Sequence, residues 1–401
     1  MALNKLNIVF LTNLPVPIGM AGTNRILSLA RGVQENHADA TILILNPTEP
    51  PPHVQNTDTT GIYKGVKYKY LTKTTVIPDG KLKKMYHFLY GLHKLLPQLK
   101  KMHNKNRIDG IVMMHTLSIV PILVFFFTRL YGIPLLQERN EFPFLSKRGL
   151  FKKIDYFIYI HFTIKLFDGF LLITNNLVEY FKAFVPRKTK LWHLPMTVEY
   201  DRFQKIEKHS KEKYIAYCGY LWGDKDGVPI LIKAFAKITN EFPEIKLVLV
   251  GDVSNRKEKN KLDILLNDLN IVDKVTFTGR VKQSEVTQIL CDAKILALAR
   301  PDNVQSKGGF PTKLGEYLAT GNPVVVTKVG EIPNYLSDGV NAFLSAPNSA
   351  DDFAEKLKQV LNNQEEAKKI GLEGRKLVES TFSYLVQGSR IIKSLKEFKR
   401  N

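Results

Sequence analysis

The stretch with the most chemical content runs from residue 308 to residue 326. A glycine pair opens a loop, and Pro311 and Thr312 are predicted to begin a helix. The free amides and the dipole of a helix start favour an anion such as a diphosphate. Lys313 places a cation in the first turn, where the dipole disfavours it unless an anion binds. Glu316 follows one turn later and can accept hydrogen bonds from ribose hydroxyls. The pattern predicts a nucleotide site.

Three further strand ends carry residues of the same kind. Residues 214–217 are predicted to form a strand, followed by Gly219, a turn with Lys225, and a helix. The ammonium of Lys225 can reach a phosphate from there. Asp252 follows the strand 246–250, and Val281 follows the strand 275–278 one unit later. The acids that flank Lys225 are better explained by a turn and a helix cap than by a metal site, so no metal is expected.

A glycine loop also follows the first predicted strand near the N-terminus. Gly19 and Gly22 stand between that strand and a helix, with Thr23 or Asn24 as the expected helix cap. Glycines let the backbone approach a ligand closely, whereas a GxxG pattern alone is also typical of a structural turn. Both interpretations stay open, and the ligand-facing one is favoured.

Short apolar runs alternate with helical patterns along the chain. Such alternation is typical of βαβ units with a parallel sheet, whose sites lie at the carboxyl ends of the strands. The polar segment 196–213 is interpreted as a linker. We therefore predict a domain at 1–205, a second at 206–381, and a helix at 382–401 that packs on the first domain. The strands are expected at 6–11, 41–45, 110–115, 134–137, 169–173, 214–217, 246–250, 275–278, 295–298 and 323–327, and the helices at 24–35, 84–102, 229–240, 257–269, 283–290, 312–320 and 351–362.

Length and composition are those of a two-domain globular protein. The chain has 401 residues, 44% hydrophobic and 24% charged. Its two cysteines, Cys218 and Cys291, suggest neither a disulfide framework nor a metal site and fit a reducing compartment. The N-terminal apolar run is expected to be a strand, not a signal peptide. Proline and arginine interrupt the apolar stretch 118–136, which is too short to span a bilayer. A cytoplasmic location is therefore expected.

The formal net charge of +20 calls for a partner or another reason. Between residues 64 and 107, twelve lysines and arginines face one acid, Asp79, and aromatic residues interleave with them. A second basic and aromatic stretch runs from 144 to 170. A solvated surface, an anionic membrane surface and nucleic acid all compete as explanations. The membrane surface is favoured, because aromatic and basic residues together suit an interface and no nucleic-acid-binding motif is present.

With these motifs in place, the chain resembles the family 4 retaining glycosyltransferases over essentially its whole length. The resemblance implies the GT-B fold: α/β, with two Rossmann-like domains that face each other across a cleft. It implies a nucleotide-sugar donor, no essential metal or other cofactor, and an acceptor on the N-terminal domain. Glu316 matches the second glutamate of the family's E-x7-E motif, and Lys225 matches its phosphate-binding lysine. The predicted donor-binding residues are Gly19, Gly22, Gly219, Lys225, Asp252, Val281, Gly308, Gly309, Phe310, Pro311, Thr312, Lys313 and Glu316.

The sequence departs from the family pattern at three positions. Gly308 stands where the first glutamate of E-x7-E is expected, and Tyr220 stands where an arginine often precedes the phosphate lysine. The family's N-terminal-domain histidine is replaced within residues 137–141, so Glu138 becomes the candidate polar group beside the reaction centre, with His115 as the second. Lys225 completes the predicted catalytic set. The substitutes considered for the missing glutamate are Asp302, Asn303, Gln305 and the backbone around residues 309–310.

These expectations add up to a transfer reaction. We expect a sugar to move, with retention of configuration, from a nucleotide diphosphate-sugar to a hydroxyl acceptor such as a lipid-linked glycan in surface polysaccharide biosynthesis. The enzyme would be cytoplasmic and peripheral on the inner face of the cell membrane. Two alternatives remain: a catalytically silent partner of another transferase, motivated by the three departures, and a nucleotide-sugar epimerase on the same architecture.

Overall fold

A computed structural model describes residues 5–114, 117–143, 149–204, 206–207, 212–221, 225–253 and 256–398. The chain divides into two compact units. Unit 1 consists of Met1–Thr197 together with Tyr384–Asn401, and unit 2 is Val198–Ser383.

Unit 1 is built on an eight-stranded sheet in the order β3-β4-β2-β1-β5-β6-β7-β8. All neighbouring strands are parallel except β3, which runs antiparallel to β4. The strands are β1 (Asn7–Thr12), β2 (Asp39–Ile44), β3 (Thr60–Tyr63), β4 (Val66–Tyr70), β5 (Gly110–Met114), β6 (Leu135–Arg139), β7 (Gly169–Leu172) and β8 (Lys190–His193). The helices between them are α1 (Ala21–Glu35), α2 (Lys81–Lys105), α3 (Ile119–Tyr131), α4 (Leu150–His161) and α5 (Asn175–Lys182).

Unit 2 has a six-stranded parallel sheet in the order β11-β10-β9-β12-β13-β14. Its strands are β9 (Tyr214–Cys218), β10 (Lys246–Val250), β11 (Val275–Gly279), β12 (Ile295–Leu298), β13 (Val324–Thr327) and β14 (Phe343–Ser345). Its helices are α6 (Val228–Ala236), α7 (Arg256–Asp268), α8 (Gln283–Asp292), α9 (Val304–Gly308), α10 (Thr312–Ala319), α11 (Ala350–Asn362) and α12 (Gln364–Leu377).

The central strands form because they are uniformly apolar. Every residue of β1, β5 and β7 is buried, as expected for a parallel sheet covered on both faces. The ten strands predicted from the sequence all appear, within two residues at either end. The sequence prediction misses β3, β4 and β8, whose apolar pattern is broken by charge or by an exposed face, and β14, which is buried but only three residues long. The apolar stretch 118–136 is α3 followed by the start of β6.

One local prediction is wrong. Thr23 and Asn24 were expected to cap α1, but the helix begins at Ala21 and Met20 is its cap residue. Asn24 already donates its backbone amide to the Met20 carbonyl, and the Thr23 hydroxyl donates to the Pro15 carbonyl at 2.7 Å. The hydroxyl of Thr23 therefore ties the glycine loop to the preceding turn.

The last helix, α13 (Tyr384–Lys396), packs against α1 within unit 1. The two helices meet at glycines: a Cβ on Gly388 would overlap the backbone of Gly32. The Asn36 side chain donates to the Leu385 carbonyl at 2.8 Å, and the Arg31 guanidinium lies 4.3 Å from the centre of the Tyr384 ring. Close backbone contact thus ties the C-terminal segment to the first βα unit.

Replacing Gly388 by Ala tests this contact, because two effects of opposite sign compete. Helix propensity alone favours Ala by about 1 kcal/mol, but overpacking a tight contact costs about 1 to 3 kcal/mol. Since the obstacle is backbone, we expect net destabilisation, measured by urea unfolding. Lys393→Ala, at an exposed position of the same helix, is the control and should change stability by less than about 0.5 kcal/mol. A Gly388→Ala variant more stable than wild type would contradict the packing.

Candidate nucleotide site

The strand order of unit 2 reverses between β9 and β12, and this is where the predicted site residues gather. From β9 the chain proceeds outwards to β10 and β11, and then returns to β12 on the other side. Parallel α/β sheets bind ligands at the carboxyl ends of the strands beside such a reversal. Here β9 ends at Cys218 and Gly219 follows it, whereas Arg300 follows β12.

Lys313 reaches this edge from the first turn of α10. Its ammonium contacts the carboxylate of Asp226 at 2.6 Å and the hydroxyl of Tyr217 at 2.9 Å. The Tyr217 hydroxyl also contacts Asp226, at 3.0 Å. A Cβ on residue 219 would overlap the Lys313 ammonium, so Gly219 leaves the room that the lysine occupies. The sequence placed Lys313 at the predicted site but missed its acidic partner.

Asp226 is buried, and its protonation state is set by its neighbours. Burial by itself would raise the pKa of the carboxyl, but the Lys313 ammonium and the Arg300 guanidinium outweigh it and lower the pKa of Asp226 below its usual value. Burial and the nearby Asp226 carboxylate raise the pKa of Tyr217 well above its usual value. The cluster is therefore an ionised Asp226, an ammonium and a neutral phenol at neutral pH.

Glu316 lies on the same helix and is paired with an arginine that sequence reasoning missed. Nη2 of Arg202 contacts Oε1 of Glu316 at 2.9 Å, and the two side chains are 14% and 23% exposed. Arg202 belongs to a 3-10 turn (Tyr200–Phe203) inside the segment interpreted as a linker. Nε of Arg202 is buried and makes no hydrogen bond with the described residues. Nothing in the spacing of the sequence indicates this pair.

The loop before α10 is held by Arg300 and by a helix cap. The buried Arg300 donates to the carbonyls of Gln305 and Gly309 at 3.3 and 3.4 Å. The Asn303 side chain accepts from the Ser306 amide at 2.8 Å and caps α9. Asn303, one of the substitutes considered for the missing glutamate, therefore has a structural use in this structure. Gln305 contributes its carbonyl to the Arg300 contact.

The aromatic residue of the loop is part of the core. Phe310 is buried and stacks on Tyr335, with ring centres 5.5 Å apart, and it meets Phe382 edge to face. Gly308 and Gly309 are also buried, and Thr312 begins α10 directly after Pro311. Of the predicted donor residues in this loop, Lys313 and Glu316 present polar side chains to the strand ends, whereas Phe310 anchors the loop.

Cys218 borders the same cluster at the end of β9. Its backbone amide donates a hydrogen bond to the Tyr317 hydroxyl at 2.6 Å. Burial, followed by the Glu316 carboxylate, raises the pKa of the Cys218 thiol to about 12. The thiol is therefore neutral at physiological pH and unsuited to act as a nucleophile.

Lys225 lies after the central strand β9, whereas Asp252 and Val281 lie after the outer strands β10 and β11. The Lys225 side chain is exposed, in the segment between β9 and α6. Asp252 follows β10 and pairs with Arg280 at 3.4 Å, and Val281 is half-buried after β11. Within the described residues, no group of three His, Cys, Asp or Glu side chains could hold a metal ion. The metal-free chemistry expected from the sequence stays a prediction.

The catalytic candidates of unit 1 have a different setting. Glu138 is 1% exposed, and its Oε1 contacts Nε of Arg25 at 2.6 Å. Arg25 is equally buried and also donates to the carbonyls of Leu194 and Pro195 at 2.9 and 2.8 Å. The other carboxylate oxygen of Glu138 is buried without a described hydrogen-bond partner. This pair joins α1 to β6 and to the residues that follow β8, so it fixes the positions of these elements relative to one another. His115 lies outside the described residues.

The glycine loop of unit 1 is compact. A Cβ on residue 19 would overlap the Thr23 side chain, and a Cβ on residue 22 would approach Leu14. The small size of Gly19 is thus required by the Thr23 contact to Pro15. The predicted ligand-facing role of Gly19 and Gly22 is untested by this packing and remains a prediction.

Comparison with known proteins shows what unit 2 resembles. Residues 199–377 match the family model Glycosyl transferases group 1. The chain is also 31% identical over 152 residues to N-acetyl-alpha-D-glucosaminyl L-malate synthase of Bacillus anthracis. That alignment covers 38% of this chain and 37% of the Bacillus protein, so it spans well under half of either.

Solved structures extend the likeness to both units. A glycosyltransferase from Rickettsia africae has a TM-score of 0.72 at 16% identity and covers 99% of this chain and 100% of its own. HepE of Anabaena, in complex with UDP and glucose, has a TM-score of 0.70 at 14% identity, covering 98% and 100%. At these identities the likeness shows the fold. The predicted α/β fold of two Rossmann-like domains is confirmed as GT-B.

Replacing Asp226 by Asn removes the charge that neutralises Lys313. We expect a loss of about 3 kcal/mol in unfolding free energy near pH 7, at the lower end for a buried ion pair that loses one partner, because the Lys313 side chain is 19% exposed. The pKa of Asp226 is lowered in the folded protein. Its stabilisation is therefore present above the unfolded value of about 4 and is lost as the pH falls through the folded pKa. The difference in unfolding free energy between the variant and wild type should therefore be smaller near pH 3 than near pH 7.

Urea unfolding at both pH values measures this gap. The matched control is Asp351→Asn, because Asp351 pairs with Lys237 at 2.8 Å but is 82% exposed. An exposed pair contributes little, so the control should differ from wild type by less than about 1 kcal/mol. The pair does not stabilise unit 2 if the unfolding free energy of Asp226→Asn is close to that of wild type near pH 7. The same conclusion follows if their difference is as large near pH 3 as near pH 7.

Proposed function

We propose that this protein transfers a sugar, with retention of configuration, from a nucleotide diphosphate-sugar to a hydroxyl acceptor, and that unit 2 holds the donor. The observation that carries the proposal is the cluster at the strand reversal of unit 2. There the start of α10, Lys313 and Glu316 gather beside the end of β9, within the segment that matches a glycosyltransferase family. The UDP complex of the Anabaena protein supports a nucleotide as the ligand.

The electrostatics suggest how the leaving diphosphate is stabilised. Charge develops on the diphosphate as the bond to the sugar breaks, and fixed dipoles and cations aimed at that charge lower the barrier. The free amides at the start of α10 supply dipoles. Asp226 already compensates the charge of Lys313. We propose that Lys225, which is exposed between β9 and α6, contributes a second cation to the phosphates. We propose that the departing phosphate accepts the proton of the acceptor hydroxyl, so no enzyme nucleophile is needed.

Glu316 is proposed to bind the ribose hydroxyls of the donor. Its carboxylate is only 23% exposed and is oriented by Arg202. One carboxylate oxygen of Glu316 contacts Arg202. A carboxylate can accept about four hydrogen bonds, so Glu316 can still accept hydrogen bonds from two vicinal ribose hydroxyls. Arg202 is then a positioning residue. Glu138, buried against Arg25, is also proposed to act by positioning the end of β6 and not by direct contact with substrate.

The acceptor is proposed to be a glycan on a lipid carrier, at the inner face of the cell membrane. The high positive charge and the basic, aromatic segments of unit 1 support this choice. None of the described helices is long and apolar enough to cross a bilayer. Contact with a lipid-linked acceptor would therefore be peripheral.

A catalytically silent role is the second candidate, because Gly308 leaves the loop without the first glutamate of the motif and Lys313 is tied to Asp226. The two functions differ in turnover. Incubation with a stabilising sugar nucleotide and a membrane lipid extract should release nucleoside diphosphate and give a glycosylated lipid with the donor's anomeric configuration. Nucleotide binding without release in any extract would favour the silent partner. Conversion of the donor alone to a new sugar nucleotide would favour an epimerase.

Thermal unfolding with a panel of nucleoside diphosphates and sugar nucleotides tests the donor site. A ligand at 100 times its dissociation constant stabilises the folded state by about 2.7 kcal/mol. We expect one nucleotide class to raise the melting temperature and Glu316→Ala to abolish that increase. Glu365→Ala, which removes an exposed acid at the start of α12, is the control.

Arg202→Ala separates a ligand contact from a structural ion pair at Glu316. It removes the same ion pair but leaves the carboxylate, so we expect the nucleotide shift to persist, reduced in size. Equal loss in Arg202→Ala and Glu316→Ala would mean that the ion pair, and not a contact between Glu316 and the ribose, sustains binding.

Lys225→Ala tests the phosphate contact by calorimetric titration. We expect the affinity for the nucleoside diphosphate to fall about tenfold or more, since a charge-assisted contact contributes roughly 1.5 to 3 kcal/mol. The affinity for the corresponding nucleoside should not change. Lys233→Ala, an exposed lysine on α6, is the matched control. If nucleoside and diphosphate lose affinity equally, Lys225 does not bind the phosphates.

A further inference from the structure

Helix α4 of unit 1 is apolar on two opposite faces, and only one of them is covered. Tyr159 and Ile160 are buried on the inner face. Leu150, Ile154 and Phe157 follow one another at spacings of four and three residues, so they form one stripe along the helix. These three side chains are 75%, 50% and 56% exposed. No described residue covers this outer stripe.

The exposure is concentrated in one part of the chain. Among the described residues, 23 large hydrophobic side chains are exposed, and 12 of them lie between residues 82 and 162. Scattered exposed apolar residues are normal, whereas a contiguous group marks an interaction surface. Besides α4 and the adjoining Phe162, the group includes Leu82, Met85, Tyr86, Leu89, Ile119, Phe126 and Leu130.

The topology of unit 1 brings these helices to one side of the sheet. The chain moves in one direction across the sheet from β4 through β5 and β6 to β7, and each crossover joins parallel strands. Such crossovers are right-handed, so α2, α3 and α4 lie on the same face. Helix α2 contacts α3, and α3 contacts the turn (Thr163–Leu166) that follows α4. The outer sides of the three helices therefore adjoin.

The charge on this side favours an anionic occupant. Helix α2 carries seven lysines and no Asp or Glu. Lys152 and Lys153 are exposed on α4, and the helical spacing places Lys153 beside the apolar stripe. A second copy of the chain fits poorly, because each copy has a formal net charge of +20 and would present the same lysines. Nucleic acid would match the charge but not the leucine, isoleucine and phenylalanine side chains.

We infer that unit 1 docks on an anionic lipid bilayer through the outer faces of α2, α3 and α4, with the stripe of α4 as the inserted element. Leu150, Ile154 and Phe157, with the neighbouring Phe151, enter the boundary between headgroups and acyl chains. The lysines of α2 and α4 face the headgroup phosphates, and each strengthens binding several-fold. The inference rests on the proposed function in one respect: such a surface presents the lipid-linked acceptor.

Sedimentation of the full-length protein with vesicles tests the docking. Wild type should bind vesicles of phosphatidylcholine with about one third phosphatidylglycerol at least tenfold more tightly than vesicles of phosphatidylcholine alone. Ile154→Ser combined with Phe157→Ser keeps every charge and should weaken binding to the anionic vesicles tenfold or more. The matched control combines Ile264→Ser and Val272→Ser, which remove two similarly exposed apolar side chains from unit 2. The control should bind as wild type does.

Insertion is read out separately with Phe157→Trp. Its additional fluorescence should shift to shorter wavelength on anionic vesicles and be quenched by lipids brominated on the acyl chains. Absence of wild-type binding to anionic vesicles would overturn the inference. So would equal binding by the Ile154→Ser/Phe157→Ser variant, which would mean attraction by charge alone. A wild-type dimer in solution that this variant dissociates would assign the stripe to a second copy of the chain.

The nucleotide-induced rise in melting temperature distinguishes failure of the docking inference from failure of the proposed function. The Ile154→Ser/Phe157→Ser variant should keep the nucleotide-induced rise in melting temperature, since α4 belongs to unit 1 and the nucleotide cluster to unit 2. Vesicle binding without any nucleotide shift would leave the docking standing and refute the donor site. A nucleotide-induced rise in melting temperature without vesicle binding would refute the docking and leave the proposed donor site standing.

Discussion

Parallel strands place all their carboxyl ends at one edge of a sheet, and the candidate nucleotide site of unit 2 depends on that constraint. Six parallel strands bring segments that are distant in sequence to a common edge. The ends of β9 and β10 approach so closely that a Cβ on Gly251 would overlap the Gly219 carbonyl. Small residues at these ends leave space for the Lys313 side chain, and the start of α10 can then approach β9.

The charges at this edge are arranged in pairs that lower their net effect. Asp226 holds Lys313, and Arg202 holds Glu316. Pairing lets ionised groups remain at low exposure without the full cost of desolvation. It also fixes their positions, which suits a site that must present dipoles and charges in a set geometry. The same arrangement weakens Lys313 as a source of positive charge.

Unit 1 uses the same type of sheet differently. Its buried Arg25–Glu138 pair joins α1 to β6 and the carbonyls after β8, and the glycine contact of α1 with α13 ties the end of the chain to its beginning. On the opposite face of the sheet, apolar side chains of α2, α3 and α4 stay exposed among lysines. A helix that is apolar on both faces needs two partners, and the sheet supplies one of them.

The sequence by itself determined ten of the fourteen described strands, the sheet type and the loop of residues 308–313, because runs of apolar residues and glycine or proline at their ends act locally. It missed the short strands β3, β4, β8 and β14, and it placed the cap of α1 at Thr23 or Asn24, about one turn after the observed cap residue Met20. Only the tertiary structure decided the partners: Arg202 for Glu316, Asp226 for Lys313 and Arg25 for Glu138. These pairs join residues 87 to 114 positions apart, and no periodicity extends over such a distance. The outer face of α4 was equally undecided, since an apolar helix does not reveal which of its faces the fold will cover.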